Sequence, residues 1–263
     1  MSNLLITISN TGTVTEGQNI YSEGQTVDEN ITFTYYDANR ETVSMFELSQ
    51  AEINIFDPAH YIINNPQVAE DIAGEYGNAA VSLGIANANL PNLAPSGWSQ
   101  IQTGGNSSVT INGSSFSVRE YSIAIKDYIE TGAIQGRSPS PLFDSEYYLE
   151  QNPDVESALA GGSFNGDPLF HYVETGAPEG RDPNPYFDSD YYISANPGVA
   201  ETNLNPLEHY ILIGSSAGAD PSTNFDPEFY LAQNQDVAAA GVDPLTHFLT
   251  FGQDEGRLPM AAA

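Results

Sequence analysis

The sequence predicts an α+β protein, with a small strand-rich N-terminal portion followed by a C-terminal stack of helical hairpins. Two observations carry this. A block beginning Phe143-Asp-Ser-Glu-Tyr-Tyr recurs at Phe187 and Phe225, 44 and then 38 residues further on, each time followed by Asp167-Pro-Leu-Phe-His-Tyr172 or its equivalents from Asn205 and Asp243. A repeat of about 40 residues marks supersecondary units that bury their apolar stripe only by stacking. The N-terminal residues follow another period: Ile31, Phe33 and Tyr35 alternate with Thr32, Thr34 and Tyr36, and Ala51, Ile53 and Ile55 alternate with polar neighbours. A period of two reads as half-buried strand.

Taken in order, residues 1–55 form the strand-rich segment. Residues 56–142 form a degenerate first repeat, opening at Phe56-Asp-Pro-Ala-His-Tyr61 and closing at Lys126-Asp-Tyr-Ile-Glu-Thr-Gly132. Between these parts lies an insert at about 75–120, rich in Gly, Asn and Ser, in which Val109 to Val118 reads as a hairpin turning at Asn112-Gly113. Three full repeats follow at 143–186, 187–224 and 225–259. Their helix chemistry is explicit in the last. Asp226 suits an N-cap, Pro227 suits the first helical position, and Phe225 can staple onto Tyr230. Asp243-Pro244 starts a second helix, which Gly252 ends.

Composition narrows function. The 263 residues carry 35 acids against 6 Lys and Arg, a net charge of −29. A chain this acidic repels phosphate, so neither nucleic acid nor an anionic membrane surface is an expected partner. The absence of cysteine excludes disulfides, thiolate metal sites and cysteine nucleophiles. No run approaches the roughly 20 apolar residues of a membrane span, and MSNLLITISN lacks the basic and apolar regions of a cleavable signal peptide.

Several residue sets are candidates for chemistry. His171, His209 and His247 share one repeat position, which invites a metal reading; packing against the Phe-Asp opening of a neighbouring unit explains them with fewer demands, because successive repeats hold equivalent atoms about one unit apart. Arg137, Arg181 and Arg257 recur in Gly-Arg pairs and are expected to pair with a repeat aspartate and join units, with Asp220 replacing the arginine in the third repeat. Asp182, Asn184, Asp188 and Asp190 cluster oxygens that suit a hard cation, Ca2+ being the candidate. Ser216 lies in a G-x-S-x-G pattern, but the repeat register places it in a turn after a helix rather than at a strand-to-helix elbow. Trp98, the only tryptophan, is a candidate glycan-stacking residue or an anchor for the small sheet.

The Phe-Asp-x-x-Tyr-Tyr-Leu-x-x-Asn-Pro-Asp-Val, Asp-Pro-Leu-x-His-Tyr and Glu-Gly-Arg-x-Pro elements resemble a helical repeat of large bacterial surface or secreted proteins, often found beside RTX-type calcium-binding segments. The resemblance covers residues 121–259 and part of 56–70. It implies an exported bacterial protein, extracellular or at the cell surface. The calcium-binding nonapeptide of such segments is absent from this sequence. Together these features lead to the expectation of a non-enzymatic extracellular structural protein that forms a homo-oligomer or homopolymer, as a filament or layer. The alternative is an adhesin that binds a glycan or cell-surface partner.

Overall fold

The computed structural model describes residues 5–10, 31–36, 42–68, 81–82, 108–111, 114–117 and 124–261, with side chains at 48–49, 51–68 and 124–261. The chain divides into two compact bodies, one of residues 1–54 and 58–127, the other of residues 55–57 and 128–263. From 50 to 68 and from 124 to 261 the regular structure is helical, without strand or sheet. The expected α+β class with an N-terminal sheet is therefore corrected to a helical one. Extended backbone at Leu5–Asn10, Ile31–Tyr36, Thr42–Leu48, Ser108–Ile111 and Ser114–Ser117 carries no described side chain except Leu48. The Asn112-Gly113 turn and Trp98 lie outside the described residues.

The alternation over Ala51, Ile53 and Ile55 also resolves differently, as a helix over Gln50–Ile55. The reason is a capping box. Ser49 N–H donates to Glu52 Oε2 at 2.8 Å, while Glu52 N–H donates to Ser49 Oγ at 3.3 Å, satisfying two helix-start donors reciprocally. Three alternate residues make too short a run to outweigh that local signal.

Each full repeat contains three helical segments rather than the two of a hairpin. In repeat 2 these are Ser145–Gln151, Pro153–Ala160 and Pro168–His171, the last continuing into π-helical Tyr172–Gly176. Repeat 4 repeats the plan with Pro227–Gln233, Gln235–Ala240, Pro244–His247 and Phe248–Gly252. The extra break falls at an asparagine. Asn152, Asn196 and Asn234 each donate Nδ2 to the carbonyl of the tyrosine four residues earlier, at 2.7, 2.9 and 2.7 Å, closing the opening helix. The predicted N-caps hold: Asp144, Asp188 and Asp226 accept from Tyr147, Tyr191 and Phe229 N–H.

An aromatic triad forms the core of each repeat. In repeat 4 the Phe225 and Tyr230 rings lie 5.4 Å apart, and Phe248 lies 5.4 and 5.7 Å from them. Phe187, Tyr192 and Tyr210 reproduce the arrangement, as do Phe143, Tyr148 and Tyr172, with all nine rings almost fully buried. Each buried ring contributes about 1.5–3 kcal/mol to the repeat's stability.

Every repeat also closes on itself through its backbone. Asp144 N–H donates to Pro183 O at 3.0 Å, Asp188 to Pro221 O at 3.1 Å and Asp226 to Pro259 O at 3.0 Å. Asp57 N–H makes the same bond to Pro139 O at 3.0 Å, so repeat 1 closes although a long insert separates its two ends.

Candidate functional site

The chemistry-bearing side chains converge on one recurring constellation. In each full repeat the opening-helix tyrosine directs its hydroxyl at the histidine: Tyr148 to His171 Nδ1 at 2.8 Å, Tyr192 to His209 Nδ1 at 2.8 Å and Tyr230 to His247 Nδ1 at 2.9 Å. Each bond joins the phenol oxygen to Nδ1, and the imidazole tautomer sets which of the two donates. Burial holds all three imidazoles below the ordinary histidine pKa, with Arg181 adding to the effect at His171 and Arg257 at His247. The phenols are pushed up, also by burial first. Repeat 1 keeps the bond with a different partner: Tyr61 donates to Asp127 at 2.6 Å, and Asp127 occupies the histidine position.

A glycine makes this geometry possible. A Cβ at Gly176, Gly214 or Gly252 would overlap the hydroxyl of Tyr148, Tyr192 or Tyr230. Each glycine ends a π-helical stretch, whose bonds reach back five residues, as in Ala177 N–H to Tyr172 O at 2.8 Å.

The arginines pair with aspartate as expected, but within their own repeat instead of across a junction. Arg181 Nη1 donates to Asn152 Oδ1 at 2.9 Å and Nη2 to Asp154 Oδ2 at 2.9 Å, while Nε reaches Glu179 at 2.8 Å. Arg257 clamps Asn234, Asp236 and Glu255 in the same way. The pairing holds Asp154 below the usual carboxylate range and Asp236 down to about 2. Both carboxylates are exposed, so solvent screens the pairs and they contribute little to stability. Arg137, in repeat 1, donates to Gln135 at 2.7 Å. In repeat 3 the arginine position is held by Ala219, with Asp220 aligned to Asp182 instead, and the partner position by Gly198. Among the full repeats the cation and its carboxylate are absent together, whereas repeat 1 keeps Arg137 with Gln67 at the carboxylate position.

Junctions between repeats use other groups. Tyr128 hydroxyl donates to Asp167 at 3.1 Å and Tyr210 hydroxyl to Asp243 at 2.9 Å. Asn184 Nδ2 donates to Leu142 O, and Ser222 Oγ to Tyr186 O, each at 2.8 Å. The junction between repeats 2 and 3 differs. Asn205 replaces the aspartate, and the Tyr172 hydroxyl and Asn205 Nδ2 are buried without a hydrogen-bond partner among the described residues.

Of the four oxygen-bearing candidates for a cation, Asp182 accepts from Ser189 N–H at 2.8 Å and Asp188 caps its helix. Asn184 spends both ends of its amide, on Leu142 O and Tyr186 N–H, and Asp190 lies against Gly180. Among the described residues no group of three or more His, Asp or Glu is placed to hold a metal ion. Ser216 donates to Ile213 O at 2.9 Å from an exposed turn after the π-helical segment, as its register implies.

No family model, curated protein or solved structure matches the chain. No described helix is long and apolar enough to cross a membrane.

Proposed function

We propose that the protein is a non-enzymatic structural protein of the cell exterior, a repeat scaffold whose copies associate into a filament or surface layer, with cations screening its charge. One observation carries the reading: the residues with chemical potential recur in the same hydrogen bonds from repeat to repeat. Catalysis concentrates unlike residues at one place, whereas here a tyrosine–histidine bond is made three times and an arginine clamp twice, each inside its own repeat. Such repetition serves closure and stacking. The resemblance to repeats of bacterial surface proteins supports the extracellular placement. Sedimentation and electron microscopy of the intact protein test the proposal, with Ca2+ and with a chelator. Ordered assemblies that grow with protein concentration are expected; monomers under every condition refute it.

A further inference from the structure

The linker that leads into the second N-cap is longest in repeat 2. It runs from Gly161 to Gly166 there, but only from Thr202 to Leu204 in repeat 3 and from Gly241 to Val242 in repeat 4. Its last part is held at both ends. The Phe164 ring lies 5.9 Å from Phe170 and 5.4 Å from His171, and the buried Asp167 accepts from Leu169 and Phe170 N–H at 2.9 and 3.1 Å. Between these anchors Asn165 and Gly166 are exposed. Neither the Gly166 N–H nor the Asn165 side-chain amide makes a hydrogen bond to another described residue.

Packing demands the glycine. A Cβ at Gly166 would stand 2.7 Å from Phe170 Cδ1 and 2.9 Å from Phe164 Cε1, so a larger residue fits only by moving a ring. That requirement leaves the amide after Asn165 without a side chain to shield it. A nucleophile and an electrophile held in one dipeptide also react without the entropy cost of bringing two molecules together. Repeat 3 supplies the comparison. Asn203 holds the position of Asn165 and is exposed as well, but Leu204 follows it and its backbone is left-handed, with φ at 56°.

We propose that Asn165 is a site of spontaneous covalent modification, converting to isoaspartate and aspartate through a cyclic imide with Gly166. Hydroxide takes the Gly166 N–H proton, the nitrogen attacks Asn165 Cγ, and Nδ2 leaves as ammonia. Water then opens the imide at either carbonyl carbon. Opening at Cγ restores the ordinary backbone as aspartate, whereas opening at the Asn165 main-chain carbonyl leaves isoaspartate, whose chain runs through Cβ and Cγ. The sum consumes water and releases ammonia, with no oxidant or cofactor. Isoaspartate lengthens the backbone by a methylene group between the Phe164 and Asp167 anchors. Asp167 also accepts from the Tyr128 hydroxyl at 3.1 Å, so the added length loosens the bond that joins repeats 1 and 2.

Ageing of the intact chain in warm, mildly alkaline buffer tests it, followed by mass-spectrometric peptide mapping that separates isoaspartate from aspartate. The chain's other Asn-Gly pair, Asn112-Gly113, lies outside the described residues and serves as a positive control in the map. Conversion is expected at Asn165 and not at Asn203. Asn165→Gln, which would have to close a larger ring, should lose the conversion while keeping the parent's circular dichroism and melting. The isoaspartyl form, separated by its added negative charge, should unfold at lower urea and exchange the Leu169 and Phe170 amides faster than the parent. Asn165 that stays intact in the folded chain but converts in urea overturns the proposal, because the fold then shields the site. Equal conversion at Asn203 overturns the role given to Gly166, and an isoaspartyl form as stable as the parent overturns the loosening of the junction.

Discussion

Gly214→Ala provides a sharp test of the tyrosine–histidine constellation, because helix propensity alone predicts the opposite sign. In an ordinary helix interior the change gains about 1 kcal/mol. Here the new methyl group would overlap the Tyr192 hydroxyl, with Tyr192 Cζ at 3.1 Å and Ala219 Cβ at 3.4 Å. Tyr192 is fully buried and cannot swing into solvent without dismantling the aromatic triad. Displacing it breaks the 2.8 Å bond to His209 at about 1–3 kcal/mol and overpacks the site at about 1–3 kcal/mol. After the propensity gain, the net loss is about 1–5 kcal/mol. Gly198→Ala is the control, since a Cβ there meets nothing within 4 Å and the residue lies in a short 3-10 helix. It should be neutral or stabilising by up to about 1 kcal/mol. Urea unfolding followed by circular dichroism measures both. A Gly214→Ala protein as stable as the parent refutes the claim that the glycine exists to admit the tyrosine.

Three further outcomes follow from the same geometry. Tyr148→Phe should leave the His171 pKa below the ordinary histidine value, read by NMR titration, because burial and then Arg181, not the hydroxyl, lower it; a return to the ordinary value contradicts this. A histidine whose folded pKa is depressed costs stability as pH falls below about 6.5, where the unfolded chain takes up protons first, so the three imidazoles should make unfolding easier on mild acidification. Asn205→Asp should supply the acceptor that Tyr172 lacks and stabilise the chain by about 1 kcal/mol. Burial raises the pKa of the equivalent Asp167, so this gain should be full below the free carboxyl value and fade as pH rises through the folded value; a variant equally stable to the parent at pH 3, about one unit below a free carboxyl, contradicts it. Gly198→Asp combined with Ala219→Arg should install the missing clamp in repeat 3 and slow amide exchange over residues 197–201, while either change alone should not.

The parts of the fold visible in the sequence were those fixed by local chemistry. Asp-Pro and Asp-Ser openings announce N-caps, and Phe225 with Tyr230 announces a staple, because each involves residues a few positions apart. The helix over Gln50–Ile55 had an equally local signal in Ser49 and Glu52, obscured by an alternation of the same residues. The middle helix of each repeat was less visible, since it depends on an asparagine side chain capping the helix before it. Arginine's partner is legible in the full repeats, where Gly198 and Ala219 depart together. The closure of each repeat is not, because it joins backbone groups of Asp144 and Pro183 whose side chains say nothing about the bond. The unpartnered Tyr172 and Asn205 pair was hinted at by one aspartate-to-asparagine change, but its burial required the packed junction.

Amide hydrogen exchange on the intact chain tests most directly the central claim, that each repeat is closed by its own rivets and that repeat 3 is the least secured. The Asp144, Asp188 and Asp226 amides, which donate across the closures, should be among the slowest to exchange. Residues 197–205, which lack the clamp and the junction bond, should be the first of the repeat helices to open. Rapid exchange at the closing aspartates, or protection in repeat 3 equal to that of repeats 2 and 4, would contradict the account.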